Sequence, residues 1–203
     1  MKLTRQQTTV IGIFALFLGP VILVMLMQSR WWNYQPDGMK NHGQLVRPAI
    51  HLPLDTHAHT AVDPPSPGIA GKWLLLYVLS EPCDQVCISD ITALRQIHKA
   101  TGRQQEHLAI GLISRTGPGP DLKARLVSIY SKLNFISDPS ATALASLDKI
   151  NAGLLSRENR QTNFKIYIID PMQNVIMAFE NGTEPGNIHK DLKRLLKWSS
   201  QEN

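Results

Sequence analysis

The sequence predicts an α/β protein in which a mixed β-sheet carries helices on both faces and one N-terminal transmembrane helix tethers it. Three observations predict this. Residues 8–27 are free of charge and almost wholly apolar. Three short apolar runs, at 73–79 (WLLLYVL), 107–113 (HLAIGLI) and 164–169 (FKIYII), have the length of strands buried on both faces. Between and after them, apolar residues recur at helical spacing, as at Ile188, Leu192, Leu195 and Leu196.

The charge-free run comes first. About 20 apolar residues in a helix cross the roughly 30 Å hydrocarbon core of a bilayer. Gly19-Pro20 interrupts the run, which a membrane helix tolerates because neighbouring groups can re-satisfy the freed backbone. A cleaved leader fits less well, since Met27-Gln28-Ser29-Arg30 offers no small-x-small cleavage site. Lys2 and Arg5 precede the run with no acid nearby, so the positive-inside rule places the N-terminus in the cytoplasm. Trp31, Trp32 and Tyr34 follow it, as an interfacial aromatic belt does. The expected location is the inner (cytoplasmic) membrane, single-pass, with the C-terminal domain in the periplasm and residues 8–27 contacting lipid. That compartment is oxidising, so a cysteine pair there can exist as a disulfide.

Residues 31–70 form an expected connector rich in proline, with Pro36, Pro48, Pro53, Pro64, Pro65 and Pro67. It holds His51, His57 and His59, but no carboxylate cluster or cysteine spacing accompanies them, so a metal site is not expected there. The domain proper is expected over 71–203, after an anchor at 1–30. Its first strand ends at Ser80-Glu81-Pro82, and a helix begins near Asp84 with Ile88, Ile91, Leu94 and Ile97 inward and Gly102 as its stop. The second strand leads through Gly117–Pro120 to a helix over 121–132. A short strand near Phe135 and a helix running towards Ile150 follow. The run at 164–169 pairs with 175–179 through the turn at Asp170-Pro171-Met172-Gln173-Asn174, and a last helix starts near Pro185. The order β-α-β-α-(β)-α-β-β-α is the thioredoxin-like arrangement.

Charge excludes one class of function. The net charge is +5, but Lys2, Arg5 and Arg30 lie in a stretch without acids, and the rest carries eighteen basic against sixteen acidic side chains. No basic stripe interleaved with aromatics is present, so nucleic acid is not an expected partner. Lys190, Lys193, Arg194 and Lys197 on the last helix read as a solvated face.

Cys83 and Cys87 are the only two cysteines, and they fall where the first strand gives way to the first helix. Free N–H groups and the helix dipole at such a junction stabilise a thiolate. Four-residue spacing lets the side chains meet around the first turn. A disulfide is feasible, and so is capture of Cu(I) by two thiolates. Glu81 and Asp84 flank Cys83 with no cation in the loop, which works against a strongly activated thiolate.

At these residues the chain resembles the Sco/SenC family, copper-handling proteins for cytochrome c oxidase assembly. The similarity starts at Gly71-Lys72-Trp73, includes the apolar strand and the C-x-x-x-C pair, resumes at Tyr167-Ile168-Ile169-Asp170-Pro171, and continues into 187–197. The resemblance implies a thioredoxin-like fold, copper as the metal, Cys83 and Cys87 as its ligands, and an oxidase subunit or another assembly factor as partner. Two departures stand out. Copper-binding members place proline after each cysteine, where this chain has Asp84 and Ile88. They also supply a ligand histidine at a position that falls on Thr162 here, within Arg160-Gln161-Thr162-Asn163-Phe164. The thioredoxin cis-proline falls in that neighbourhood and is missing too. His98, His107 and His189 are the remaining histidines of the domain, each read as a surface or partly buried side chain.

The leading expectation is a Sco-like accessory factor for respiratory-oxidase assembly or thiol–disulfide handling, closer to an assembly factor than to a turnover enzyme. Cys83 is the attacking sulfur and Cys87 the resolving one. The rival readings are a true thiol–disulfide oxidoreductase and a non-catalytic scaffold stapled by a structural bridge.

Overall fold

The computed structural model describes residues 5–28, 41–54, 68–80, 82–158 and 163–199. It separates into two units, Met1–Lys40 and Asn41–Asn203. In the first, helix α1 (Arg5–Gln28) runs for 24 residues with Pro20 inside it. Among the described residues no helix is long and apolar enough to cross a membrane. Trp31, Trp32 and Tyr34 lie outside the described residues.

The second unit is built on one six-stranded sheet. Its strands are β1 (Gln44–His51), β2 (Trp73–Val78), β3 (Leu108–Ser114), β4 (Leu133–Ser137), β5 (Phe164–Ile169) and β6 (Asn174–Glu180), in the spatial order β1-β6-β5-β2-β3-β4. β2, β3 and β4 are parallel, while β5 runs antiparallel to β2, β6 to β5 and β1 to β6. The helices are α2 (Gln85–Ala100), α3 (Pro120–Ile129), α4 (Thr142–Glu158) and α5 (Pro185–Ser199), and a 3-10 turn covers Gly102–His107. This is the expected thioredoxin-like mixed sheet flanked by helices.

The apolar runs are continuous because both faces of the central strands are covered. Trp73, Leu75 and Tyr77 of β2 face a core that holds Leu94 of α2, Leu126 of α3 and Leu192 of α5. Leu74 and Leu76 face the opposite core, closed by Ala143, Leu147 and Ile150 of α4. Helix α4 starts where Asp138, itself buried, accepts the backbone N–H groups of Thr142 (3.1 Å) and Leu144 (2.8 Å). Helix α3 ends at Ile129, three residues before its expected end, because Tyr130 turns extended and leads into β4.

One segment departs from the sequence reading. The stretch read as connector supplies edge strand β1, which pairs with β6 from Gln44↔Ala178 to His51↔Asn174, with an irregular register between Leu45 and Ile50. Pro48 falls within that irregularity, as proline does on edge strands. The strand is fixed by contacts far away in sequence. The buried Asp191 carboxylate on α5 accepts the N–H groups of His42 (2.6 Å) and Gly43 (2.9 Å), and Arg194 Nη1 stands 3.5 Å from its other oxygen. Gly43 has no room for a side chain, since a Cβ there would sit 2.6 Å from the Phe179 ring. Beyond β1, Leu52 N–H donates to the Gln173 carbonyl at 2.8 Å, and the Gln173 side chain donates to the carbonyl of Leu54 at 3.3 Å.

Two losses of stability follow. Gly43→Ala overpacks the Phe179 contact and costs about 1–3 kcal/mol. Asp191→Ala strands the buried N–H of Gly43 and the half-buried N–H of His42 and costs about 1–3 kcal/mol. Urea unfolding of the full chain in neutral detergent measures both, and an unchanged midpoint for Gly43→Ala would sink the packing account of β1.

Candidate redox site

The site is built at the end of β2. The pairing of β2 with β3 continues one residue past the strand, where Leu79 N–H donates to the Ile113 carbonyl at 2.9 Å. The chain then turns through Ser80 and Pro82 into α2; Glu81 lies outside the described residues. Asp84 is the N-cap of α2, with extended backbone, and its Oδ1 accepts the Cys87 N–H at 2.9 Å. An aspartate here satisfies one of the four N–H groups that a helix start leaves unpaired.

That cap brings the sulfurs together. Cys83 stands just before the cap and Cys87 in the first turn, with Cα atoms 5.3 Å apart, and the two form a disulfide. The two halves are unequal. Cys87 is buried at 3% exposure, in the core that also holds Leu79 and Ile91, whereas Cys83 is half-buried at its edge. Pro82 is exposed beside the pair, and Val86, between the cysteines in sequence, is 52% exposed.

The electrostatics follow from the cap. A free helix N-terminus stabilises a thiolate through its unpaired N–H groups. Here the Asp84 carboxylate takes the Cys87 N–H and brings a negative charge next to Cys83. The same residue therefore starts the helix and works against thiolate formation.

Below the pair lies a group that sequence reasoning missed. Asp90 is one turn beyond Cys87, and the fully buried Tyr77 of β2 donates its hydroxyl to Asp90 Oδ2 at 3.0 Å. Burial first, then the Asp90 charge and the bond to it, push the Tyr77 hydroxyl well above the ordinary phenol range. Asp90 is also raised above the ordinary carboxylate range, chiefly by burial, with Asp84 adding to it and the Tyr77 bond and Lys165 opposing it. The available signal was an acid three residues after Cys87 in an otherwise apolar helical stripe.

Tyr77 of β2 pairs with Ile166 of β5, so Asn163, just before β5, lies towards the loop that follows β2. Asn163 there is exposed, and its carbonyl accepts the Asn181 N–H at 2.9 Å. Thr162 lies outside the described residues, as do His57 and His59. His98 is at the other end of α2, about 16 Å along the axis from Cys87 at 1.5 Å per residue. His107 is exposed at the start of β3, His51 is exposed on β1, and His189 is half-buried on α5. Among the described residues no three His, Cys, Asp or Glu side chains gather as a metal-binding group.

His98 has a structural role instead. It is buried, its Nε2 stands 3.0 Å from the Leu108 carbonyl, and the Tyr130 hydroxyl lies 2.9 Å from its Nδ1. A neutral ring with the proton on Nε2 satisfies both, donating to the carbonyl and accepting from the phenol. Burial lowers its proton affinity, the bond to the Leu108 carbonyl opposes that, and the charges of Lys132 and Lys72 add to the lowering.

Two outcomes are expected. Asp84→Asn keeps the cap and removes the charge, so thiol–disulfide exchange at Cys83 speeds up several-fold in a glutathione assay; an unchanged rate would mean that the carboxylate does not govern the thiolate. His98 binds a proton less readily folded than unfolded, so its contribution is complete above about pH 6.5 and is lost as pH falls through the lowered folded value. The urea midpoint of the wild type therefore drops more between pH 7.5 and 5.5 than that of His98→Gln, and parallel profiles would remove His98 as the cause.

Comparison with known proteins adds the following. Residues 73–199 match the family model described as "Transmembrane-like, thioredoxin-like, C-terminal domain". No curated protein matches the chain significantly. Similar solved structures include yeast Sco1 with copper bound, at 13% identity, covering 64% of this chain and 80% of that one, with a TM-score of 0.47. Bradyrhizobium japonicum ScoI with copper bound is 18% identical, with 62% and 86% covered and a TM-score of 0.41. A SCO1/SenC family lipoprotein from Bacillus anthracis is 20% identical, with 74% and 98% covered and a TM-score of 0.46. At such scores these likenesses fix neither activity nor ligand. The match over 73–199 does fix the family: the chain belongs to the transmembrane-like, thioredoxin-like C-terminal domain family.

Proposed function

We propose that this chain is a Sco-like accessory factor in respiratory-oxidase assembly that handles thiol–disulfide exchange at Cys83 and Cys87. One observation carries the reading: a disulfide closes the first turn of α2 with Cys83 half-buried at the edge of the core and Cys87 buried within it. A bridge needed only as a staple has no need of that inequality.

The chemistry follows from that asymmetry. A partner thiolate attacks Cys83 Sγ, forming a mixed disulfide while the Cys83–Cys87 bond breaks and Cys87 leaves as a thiolate. A second partner thiolate attacks the partner sulfur of the mixed disulfide and Cys83 leaves. The partner ends as a disulfide, and this chain gains two electrons and two protons. Asp90, which burial raises above the ordinary carboxylate range, stands one turn from Cys87. In the reverse direction Cys83 attacks and Cys87 resolves.

Copper enters as cargo. The reduced pair offers two soft sulfur ligands suited to Cu(I). The amide of Asn163 is a poor third ligand, so the two thiolates alone hold the ion weakly. An oxidase subunit or another assembly factor is the partner that the Sco resemblance supplies. We place the domain in the periplasm, on an inner-membrane anchor whose N-terminus is cytoplasmic. The charge-free sequence over 8–27 and the helical backbone of α1 through it support that placement. An anchor at 1–30 belongs to the same reading, with the redox domain taking in β1 at Gln44–His51. The burial of Cys87 in the core favours a second reading, a scaffold whose bridge is inert.

Titration of the reduced full chain in neutral detergent with oxidised glutathione and with Cu(I) tests the proposal. The wild type is expected to exchange with one equivalent of glutathione disulfide, and Cys83→Ser to lose that exchange. Cu(I) is expected to bind reversibly, more weakly than a three-ligand site would. A reduced pair inert to both reagents would leave the scaffold.

A further inference from the structure

Far from the cysteines, at the opposite end of the sheet, lies a cleft of about 320 Å³ whose lining holds three cations, Lys72, Arg103 and Lys132, against one carboxylate. Three elements build it. Lys72 immediately precedes β2, and Lys132 immediately precedes β4, while Leu108 opens β3 between them. Trp73 pairs with Leu108, and Ile110 with Leu133, so the two lysines flank the start of β3 from either side. Adjacent strands are about 4.8 Å apart, which puts the two lysine backbones on the order of 10 Å from each other. The third cation, Arg103, comes from the 3-10 turn over Gly102–His107, which Gly102 initiates at a φ of +60°. The floor includes Leu108, Ala109 and Asn134, all buried.

We propose that this cleft binds a small ligand through a doubly charged phosphate group. Among the described residues, none of Lys72, Arg103 and Lys132 takes part in an ion pair. Glu106 is the one carboxylate of the lining, and His98 is held neutral by burial, so the walls carry two net positive charges. Three like charges around one cleft raise the local concentration of anions, and a dianion matches the excess. Arg103 offers a planar fork for two phosphate oxygens, and the lysines act as point charges on long stems. Both lysines lie close enough to His98 to depress its proton affinity, which places their charges around the same space. The six residues of β2 separate the cleft from the cysteine loop by roughly 20 Å, so occupancy does not depend on the redox chemistry proposed above.

The phosphate group can belong to a free ligand or to a lipid headgroup, and two probes distinguish them. The full chain in neutral detergent is titrated at constant ionic strength and about pH 8 with inorganic phosphate and, separately, with glycerol 3-phosphate, the deacylated headgroup of phosphatidic acid, both of which present a doubly charged phosphate there. Saturable one-to-one binding of at least one probe is expected. Arg103→Gln and Lys132→Gln should each weaken it about tenfold, the loss of one charge-assisted hydrogen bond, while Lys190→Gln on α5 leaves it unchanged. Tighter binding of inorganic phosphate assigns a free phosphate, and tighter binding of glycerol 3-phosphate assigns a headgroup. The absence of saturation with both probes, or an Arg103→Gln/Lys132→Gln double variant with wild-type affinity, overturns the proposal. Glutathione exchange at Cys83 is expected to be the same in these variants.

Discussion

Strand β2 is the constraint on which the rest depends. It is hydrogen-bonded to β3 on one side and β5 on the other, and both of its faces are covered. Five of its six residues are buried, and the sixth, Val78, packs at the margin of the core. A strand so enclosed cannot slip by one residue without moving Trp73, Leu75 and Tyr77 to the wrong core. Its end is therefore fixed, and so are the loop and the helix start that follow. The position of the two sulfurs is inherited from that rigidity.

Asp84 shows how one residue sets both local structure and chemistry. As a cap it satisfies the N–H of Cys87 and fixes the turn that closes the disulfide. The same carboxylate occupies a donor that would otherwise stabilise a thiolate and sets a negative charge beside it. Precise placement of the sulfurs and strong activation of them are in opposition here. A slow, partner-directed exchange suits such a site better than a fast general oxidant.

The two ends of the parallel strands carry different chemistry. The ends where β2 and β3 finish hold the disulfide, the Asp84 cap and, one turn down α2, the Tyr77–Asp90 pair. The ends where they begin hold Lys72, Lys132 and Arg103 around a cleft. Between the two, His98 ties the end of α2 to the Leu108 carbonyl and to Tyr130. α2 thus links both ends, with Cys87 in its first turn and His98 in its last.

Much of this was legible in the sequence because it is encoded locally. The runs at 73–79 and 164–169 announce buried strands, the stripe at Ile188, Leu192 and Leu196 announces a helix, and Asp84 followed by the Cys87 turn announces a helix start at the cysteines. Periodicity and capping act over a few residues, so a few residues suffice to reveal them. What only the tertiary structure decided depends on partners far apart in the chain. β1 reads as connector until Asp191 holds His42 and Gly43 from 148 or more residues away. Asp90 reads as a surface acid until Tyr77 meets it across the helix–sheet interface. Lys72, Arg103 and Lys132 are unremarkable until parallel strand pairing gathers their charges around one space, because electrostatic convergence follows distance in the fold and not distance along the chain.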